Sequence, residues 1–560
     1  MKPSCFALFF LAAAAFAQPA APPKPASVEG KALNSVTGEP LRKVDLTLAT
    51  SIIPENMEAA MAMFGGDAAA GAPKTPKKTF TVTTDAAGKF RLDPVDAGDY
   101  YLTAKRAGYV DGQYKPEGKY NAEGMIRLLA GDALTEVVFR LVPQGAVGGR
   151  VLDDDGDPVA GAVVAAVSSS YAGGRRRLVP ADSERTNDRG EFRLGKLPPG
   201  HYYLSADVLN MNPLAEVPPL PKDGSPETGY VSTYFPRTAD VAQATAIDVA
   251  AGADLAGFTI QLQKSKVVRV KGKALNADGT PIKSGQIMLT SPSHPGSMQM
   301  KMLNNPEGRF EIANVQPGSY MIMTMQMGGA TPTMTMQPLV VPTEGLDNVQ
   351  LGSQTEGTVQ GTVVVSGDGK VAMKGLGVTL MGGEDMPTMP VFGTVSESGA
   401  FTLKKVVAAT YQLSLQRQPD GTYLKSVQLG GHEKLGQPLD FSAGFAGPLE
   451  VVLGTDGGEF EATVSRDDKP VANATVVLIA ADPSARFPES TRSGETDSTG
   501  HVTLKAVPPG SYLAFAWEKV EYGEWFDPAF LKSFDTQAAS VTIQPKGHEK
   551  AKLPPIAAGK

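Results

Sequence analysis

Apolar and polar residues alternate along short segments of this chain, and one such segment returns roughly every hundred residues. It first reads VEGKA at residues 28–32 and recurs at residues 147–151, 270–274, 359–363 and 460–464. Alternation with a period of two is typical of a half-buried β-strand, whereas an amphipathic helix repeats about every 3.6 residues. The pattern therefore predicts a β module that is repeated along the chain.

A glycine lies in the middle of the first four copies of this strand, and Ala462 takes its place in the fifth. Because glycine inside a strand weakens it, a recurring one predicts a bulge or the close approach of another backbone. A turn such as Gly156-Asp157-Pro158 follows the strand in most copies and leads to a second apolar strand. Turn residues at this recurring place predict a hairpin between antiparallel strands.

Each copy then contains a polar turn that ends in glycine, a strand, and a further strand that opens with tyrosine. In the second copy the turn ends at Gly190, the strand contains Phe192 and the next strand opens with Tyr202. The tyrosines are Tyr100, Tyr202, Tyr320, Tyr411 and Tyr512, and the phenylalanines are Phe90, Phe192, Phe310 and Phe401. We expect both sets to lie in the cores of the modules, because their strand neighbours at alternate positions are apolar.

The V-x-G-x-A/V strand, the G-x-P turn, the D-x-x-G-x-F strand and the P-G-x-Y strand together resemble the carboxypeptidase regulatory-like module. That family has a prealbumin-like Greek-key sandwich fold. The resemblance implies an all-β chain, a tandem array of about five Greek-key β-sandwich modules. The predicted modules are residues 28–143, 144–264, 265–355, 356–455 and 456–560. The fourth departs from the motif, with Ala409 where glycine is expected and no proline in the first turn.

The amino terminus has the features of a signal peptide over residues 1–17, namely Lys2, an apolar run and small residues before Gln18. The only cysteine, Cys5, lies inside it. Residues 18–27 are rich in proline and alanine and predict an extended linker. We expect a secreted or periplasmic protein that also associates with the cell surface. For the insertion over residues 52–78 the sequence predicts a short helix near residues 56–64.

Charge and composition exclude several classes of partner. The formal net charge is −7, so neither nucleic acid nor an anionic membrane surface is an expected partner. After the signal peptide no apolar stretch is long enough to span a bilayer, so the mature chain is not expected to cross a membrane.

The residues that commonly carry catalysis are not arranged for it. The histidines are His201, His294, His432, His501 and His548, and none is followed three residues later by Glu or His. The zinc-binding pair of metallopeptidases requires such spacing. No G-x-S-x-G motif occurs in the sequence. We therefore predict that the protein is not an enzyme and needs no cofactor.

Methionines are concentrated in the third module, where ten of the twenty lie between Met288 and Met336. Many alternate along the chain, which places them on one face of a strand. Met321, Met323 and Met325 follow Tyr320 on the register opposite to the core, and we expect them on the outer side of their sheet. Met298, Met300 and Met302 would join them if the loop at residues 296–304 folds back. The set either packs as apolar filler, docks another protein, or binds Cu(I) through thioether sulfur.

Aromatic residues near the carboxyl terminus suggest a sugar-binding platform. Trp517, Tyr522 and Trp525 lie beside Glu521 and Glu524 in sequence that reads mainly as a loop. Flat aromatic faces flanked by carboxylates are suited to carbohydrate. Packing at the rim of the sandwich is the alternative.

The sequence therefore predicts an exported, non-catalytic binding or scaffold protein whose partner is a glycan or a protein at the cell envelope. Carbohydrate binding, a protein-interaction or adhesive stalk, and Cu(I) handling by the third module remain open.

Overall fold

The computed structural model describes residues 24–51, 78–114, 124–172, 175–208, 217–276, 279–291, 294–326, 333–352, 356–367, 371–373, 375–382, 390–445 and 447–557. The predicted signal peptide, most of the linker and the candidate helix near residues 56–64 lie outside these residues. Modules are numbered below in chain order.

The first three modules consist of short strands. Module 1 contains β1 (Ala26–Asn34), β2 (Asp45–Ala49), β3 (Thr79–Thr83), β4 (Lys89–Val95), β5 (Gly98–Lys105), β6 (Gly112–Gln113), β7 (Met125–Leu128) and β8 (Ala133–Leu141). Module 2 contains β9 (Gly145–Leu152), β10 (Val163–Ala172), β11 (Arg175–Arg185), β12 (Glu191–Leu197), β13 (Gly200–Asp207), β14 (Thr228–Val231), β15 (Thr233–Tyr234), β16 (Ile247–Val249), β17 (Asp254–Gln261) and β18 (Gln263–Lys266). Module 3 contains β19 (Val268–Ala274), β20 (Ser284–Ser291), β21 (His294–Asn304), β22 (Arg309–Val315), β23 (Gly318–Gln326), β24 (Thr333–Val341) and β25 (Leu346–Leu351).

The last two modules continue the series. Module 4 contains β26 (Glu356–Ser366), β27 (Gly377–Gly382), β28 (Val391–Thr394), β29 (Ala400–Val407), β30 (Thr410–Gln416), β31 (Tyr423–Leu429), β32 (His432–Glu433), β33 (Leu439–Asp440) and β34 (Leu449–Gly454). Module 5 contains β35 (Gly458–Arg466), β36 (Lys469–Pro470), β37 (Thr475–Ala480), β38 (Arg492–Glu495), β39 (His501–Val507), β40 (Gly510–Trp517), β41 (Ala539–Ile543) and β42 (His548–Leu553). The helices in the described residues are short. They are 3-10 turns at Val241–Gln243, Pro483–Ala485, Pro488–Ser490, Glu524–Phe526 and Asp535–Gln537, and an α-helical turn at Pro528–Lys532.

The five modules share one sheet topology. In each, the first strand lies between an antiparallel strand and the parallel closing strand: β1 between β4 and β8, β9 between β12 and β17, β19 between β22 and β25, β26 between β29 and β34, and β35 between β39 and β42. The second sheet is centred on the second strand, which pairs with the strand that opens with tyrosine. The predicted all-β fold class is confirmed.

The recurring glycine allows a close backbone approach, as predicted. A Cβ atom added at Gly30, Gly149 or Gly272 would lie 2.0 Å from a carbonyl oxygen of the closing strand. In these three modules the parallel pairing shifts register beside the glycine. Module 5 pairs Ala462 with Ala551 without such a shift, and it therefore accommodates a methyl group there.

The recurring tyrosines and phenylalanines lie in the cores, as expected. All five tyrosines and all four phenylalanines are buried. Each tyrosine hydroxyl donates to the backbone carbonyl four residues earlier, for example Tyr202 to Pro198 at 2.7 Å and Tyr320 to Gln316 at 2.6 Å. The same bond occurs at Tyr100, Tyr411 and Tyr512. The ring thus fills the core while its polar end is satisfied at the rim.

Each module has its own hydrophobic core cluster. Module 1 falls within one compact unit of the chain and modules 2 to 5 within another. None of the helices in the described residues is both long enough and apolar enough to pass through a bilayer.

Candidate functional site

The candidate sites of this chain lie on the outer face of the sheet whose inner face carries the tyrosine. Residues that alternate with the tyrosine point away from the core, because successive side chains on a strand face opposite sides. In module 4 these positions hold Gln412, Ser414 and Gln416. In modules 2, 3 and 5 the fifth residue after the tyrosine is Asp207, Met325 and Trp517 respectively, and each of these three faces has a different composition.

The outer face of module 3 is formed mainly by methionines that lie opposite one another across four strands. One row joins Met300 on β21, Met288 on β20, Met323 on β23 and Met336 on β24, each directly opposite the next. The flanking rows contribute Met302, Met325 and Met334 on one side, and Met298 and Met321 on the other. We call these nine side chains the methionine face.

The predicted positions of the methionines are confirmed for β23 and differ for the preceding segment. Met321 is 5% exposed, and the other members of the face are half-buried. Met298, Met300 and Met302 were expected in a loop that folds back, but they lie on the regular strand β21, which pairs with β20. The sequence did not identify this segment as a strand, because polar residues alternate with its methionines and the methionines face outward.

Directly opposite residues in an antiparallel pair have Cβ atoms about 4.5–5.5 Å apart, and a methionine sulfur lies two bonds beyond Cβ on a flexible chain. Thioether groups on three neighbouring strands can therefore converge on one point above the sheet. Such sulfur donors are soft ligands, and they favour Cu(I) over hard cations such as Mg²⁺ or Ca²⁺.

The two tryptophans of module 5 are part of a second hydrophobic cluster. Trp517 is 1% exposed and Trp525 is 2% exposed, and they pack with Val477, Ile479 and Phe515. Trp517 ends strand β40 and stacks on Phe515 with ring centroids 4.9 Å apart. A loop at the rim was expected here. Instead the segment at residues 524–537 folds into short helical turns that cover the outer face of the sheet.

The remaining members of the expected sugar platform are partly accessible. Tyr522 is 78% exposed and meets Trp525 edge to face at 5.3 Å between ring centroids. Glu521 and Glu524 are half-buried, and burial raises the pKa of the Glu524 carboxyl. Because an indole buried to this extent has no open face for a sugar ring, Trp517 and Trp525 act as core residues, and Tyr522 alone presents an aromatic surface.

A buried carboxylate occupies the corresponding face of module 2. Asp207 is 3% exposed and accepts a hydrogen bond from the Ser232 hydroxyl. It lines a cleft of about 540 Å³ between modules 2 and 3, together with Tyr230, His294 and Tyr320. Desolvation raises the pKa of Asp207 to about 6.

Asp207 was not predicted from the sequence as a site residue. It ends a strand at a position that is lysine in module 1 and glutamine in module 4, where the side chain is exposed or nearly so. The alternation of the strand places it on the outer face, where it lies against Ser232 and beside a cleft lined by residues of modules 2 and 3. The sequence evidence for Asp207 as a site residue was a polar residue at the end of one tyrosine strand, and this evidence is weak.

The acidic turn at Asp153–Asp157 is a hairpin turn, as predicted from the turn residues Gly156-Asp157-Pro158. The Asp153 carboxylate accepts from the backbone N–H groups of Asp155 and Asp157 at 3.0 and 2.8 Å. Asp154 accepts from the Tyr230 hydroxyl at 2.7 Å and pairs with Lys264 at 3.0 Å. These hydrogen bonds and this ion pair explain the acidic residues as structural members of the turn.

Comparison with known proteins identifies one family. Residues 146–226 match the family model of the carboxypeptidase regulatory-like domain. No curated protein matches the chain.

Several solved structures are similar to parts of the chain. The minor pilin GBS52 of Streptococcus agalactiae has 15% identity and a TM-score of 0.22, over 43% of this chain and 96% of the pilin. A streptococcal ancillary pilin has 14% identity and a TM-score of 0.16, over 59% and 99%. The Bacillus anthracis TIE protein has 13% identity and a TM-score of 0.15, over 78% and 80%. Scores at this level carry no functional conclusion for this chain.

The family match covers module 2 from its first strand past the tyrosine strand β13. The order of strands in that region is the order found in the other four modules. Residues 146–226 are therefore similar to the carboxypeptidase regulatory-like domain, and they lie within an array of modules that share one sheet topology.

Proposed function

We propose that the chain is an exported, non-catalytic binding scaffold, and that the methionine face of module 3 is a ligand-binding surface that takes Cu(I). The observation that carries the proposal is the row Met300, Met288, Met323 and Met336, in which four thioethers lie directly opposite one another on four adjacent strands. A sandwich needs apolar residues on its inner face, and this row is on the outer one.

Ordinary packing does not require this composition. Leucine, isoleucine and valine fill sheets with better defined rotamers, and methionine is the more flexible and polarisable choice. On the inner face of the same sheet the chain uses Ile287, Leu289, Leu303 and Ile322. The change from aliphatic to thioether side chains between the two faces supports selection for sulfur.

The proposal is tested by titrating the full chain with Cu(I) in competition with a Cu(I) chelator. Replacement of Met288, Met323 and Met336 by leucine keeps the volume and the apolar character and removes the sulfur. We expect tight uptake by the natural chain and at least a tenfold loss of affinity in this triple variant. The pair Met125→Leu and Met381→Leu, in modules 1 and 4, is the matched control and should leave uptake unchanged.

The pH dependence separates this site from one that contains histidine. Thioethers do not protonate between about pH 5 and 8, whereas imidazole ligands do, so Cu(I) affinity should be nearly constant over that range. Equal uptake by the natural chain and the triple leucine variant would reject copper and leave an apolar contact as the role of the face.

Carbohydrate binding at module 5 is a second proposal, and it rests on the exposed ring of Tyr522 beside Glu521. If Tyr522 contacts a glycan, Tyr522→Ala should abolish retention on the bound polysaccharide without lowering the melting temperature. A glycan array and a pull-down with the full chain separate this role from a protein-interaction or adhesive stalk. No retention on any glycan would remove the carbohydrate proposal.

A further inference from the structure

Side-chain contacts between modules 2 and 3 close one side of the cleft that lies between them. Arg269 on β19 is 11% exposed in its side chain and joins three partners. Its Nε donates to the Glu227 carboxylate at 2.9 Å, its Nη1 donates to Glu311 at 2.7 Å, and its Nη2 donates to the Pro218 carbonyl at 2.6 Å. Bidentate, buried pairing of this kind holds residues 217–231 of module 2 against module 3.

Strand pairing within module 2 supports this arrangement. β14 pairs antiparallel with β18, from Thr228 opposite Lys266 to Val231 opposite Gln263. On the far side of the cleft, the rings of Tyr234 and His294 lie with centroids 6.2 Å apart. The walls of the cleft are therefore fixed by contacts between the two modules.

The charged groups that line the cleft are Asp207, Lys264, Lys301 and Glu311. Glu311 is neutralised by Arg269, and Lys264 is neutralised by Asp154. Asp207 has the Ser232 hydroxyl as its hydrogen-bond partner, and in the described residues no cationic side chain pairs with it. Buried charges in proteins are normally paired, because an isolated one loses its hydration without compensation.

Other polar groups of the cleft offer acceptors as well. Gln299 donates its amide nitrogen to the carbonyl of Asn314 at 2.9 Å, which leaves its amide oxygen as the accepting end. The Tyr320 hydroxyl already donates to Gln316, and its ring forms part of the wall. The cleft thus combines a buried carboxylate, an amide acceptor and an aromatic wall.

We propose that this cleft binds a small organic cation of the ammonium type, with the Asp207 carboxylate as its counter-ion and Ser232 and Gln299 as neighbouring acceptors. The ligand supplies a positive charge that pairs with the Asp207 carboxylate. A volume of about 540 Å³ is within the range of small-molecule sites and is large enough for an aromatic amine. The site is separate from the function proposed for the methionine face, although Met300 touches both.

Protonation of Asp207 should control the affinity. The other titratable groups that line the cleft are Tyr230, Lys264, His294, Lys301, Glu311 and Tyr320. Burial lowers the pKa of His294, which favours the neutral imidazole, and burial raises the pKa values of Tyr320 and of the neighbouring Tyr234. With the pKa of Asp207 at about 6, this carboxyl is ionised in only about a tenth of the molecules at pH 5. The affinity for the cation should therefore fall about tenfold between pH 7.5 and 5.

The test is isothermal titration of the full chain with benzylammonium, benzyl alcohol and benzoate, which share one shape and differ in charge. We expect saturable binding of benzylammonium and at least tenfold weaker binding of the other two. Asp207→Asn keeps the size of the side chain and its hydrogen bond to Ser232 and removes the charge, so it should reduce benzylammonium affinity at least tenfold. Asp188→Asn removes an exposed carboxylate of the same module and should have no effect.

Circular dichroism establishes that the Asp207→Asn chain is folded, and the pH series on the natural chain tests the carboxylate without any substitution. Failure of benzylammonium to bind, preference for benzoate, or affinity that does not change between pH 7.5 and 5 would each overturn the proposal.

Discussion

Replacement of Trp525 by alanine should destabilise module 5 strongly, although the sequence suggested an exposed role for this residue. The ring is 2% exposed and contacts a cluster that includes Ile479 and Leu531. Truncation of a buried aromatic residue to alanine costs about 3–5 kcal/mol. The indole Nε1 is buried, and among the described residues it has no hydrogen-bond partner, so its removal returns part of that cost. We therefore expect a loss of about 3 kcal/mol, the lower end of the range.

Urea denaturation followed by tryptophan fluorescence measures this change in the full chain. Both tryptophans lie in module 5, so Trp517 remains as a reporter of that module after Trp525 is replaced. With a slope of about 2 kcal/mol per molar urea, a loss of about 3 kcal/mol moves the midpoint down by about 1.5 M.

Two variants serve as controls for this experiment. Trp525→Phe keeps an aromatic ring and removes the unsatisfied N–H, so its midpoint should lie between those of the natural chain and Trp525→Ala. Tyr522→Ala changes an exposed side chain and should shift the midpoint by less than about 0.3 M. Midpoints for Trp525→Ala and Tyr522→Ala that are both close to the natural one would refute the assignment of Trp525 to the core.

Three further predictions concern the modules as folding units. Gly149→Ala should destabilise module 2 by about 3 kcal/mol, because the added Cβ meets the Phe258 carbonyl oxygen at 2.0 Å. Hydrogen exchange of β9 and β12 measures this loss, and unchanged protection would contradict the prediction. The control Ala462→Gly in module 5 should cost about 1 kcal/mol at most. Burial raises the folded-state pKa of Asp207 from 3.8 to about 6, so module 2 should lose about 2 kcal/mol of stability as pH rises from 4 to 6. Pulse proteolysis should show this slope in the natural chain and lose it in Asp207→Asn. Cutting near residues 144, 265, 356 and 456 should yield fragments with β-type circular dichroism. The cut at 265 should weaken module 2, because it divides β18. Fragments that are all unfolded would contradict the modular account.

The core of each module could be predicted from the sequence because it depends on local rules. The period of two assigned Tyr202 and Phe192 to the inner face, and the glycine at position 149 indicated the close backbone approach that the structure contains. These properties are set by a strand and its immediate partners, and they repeat in every module.

The outer faces could not be predicted to the same extent. Alternation places Trp517, Met325 and Asp207 on the outer side of their sheets, but it does not specify what covers that side. Trp517 is covered by the segment that follows it, which contains Phe530 and Phe534. Asp207 lies against Ser232 and beside a cleft lined by modules 2 and 3. These contacts come from outside the strand itself, and one strand carries no signal for them.

The most direct test of the proposed function is X-ray absorption spectroscopy at the copper edge on the full chain loaded with Cu(I). The account predicts a first coordination shell of sulfur alone, which the triple replacement of Met288, Met323 and Met336 by leucine abolishes. Nitrogen or oxygen in the first shell, or the same sulfur shell in the triple variant, would contradict it.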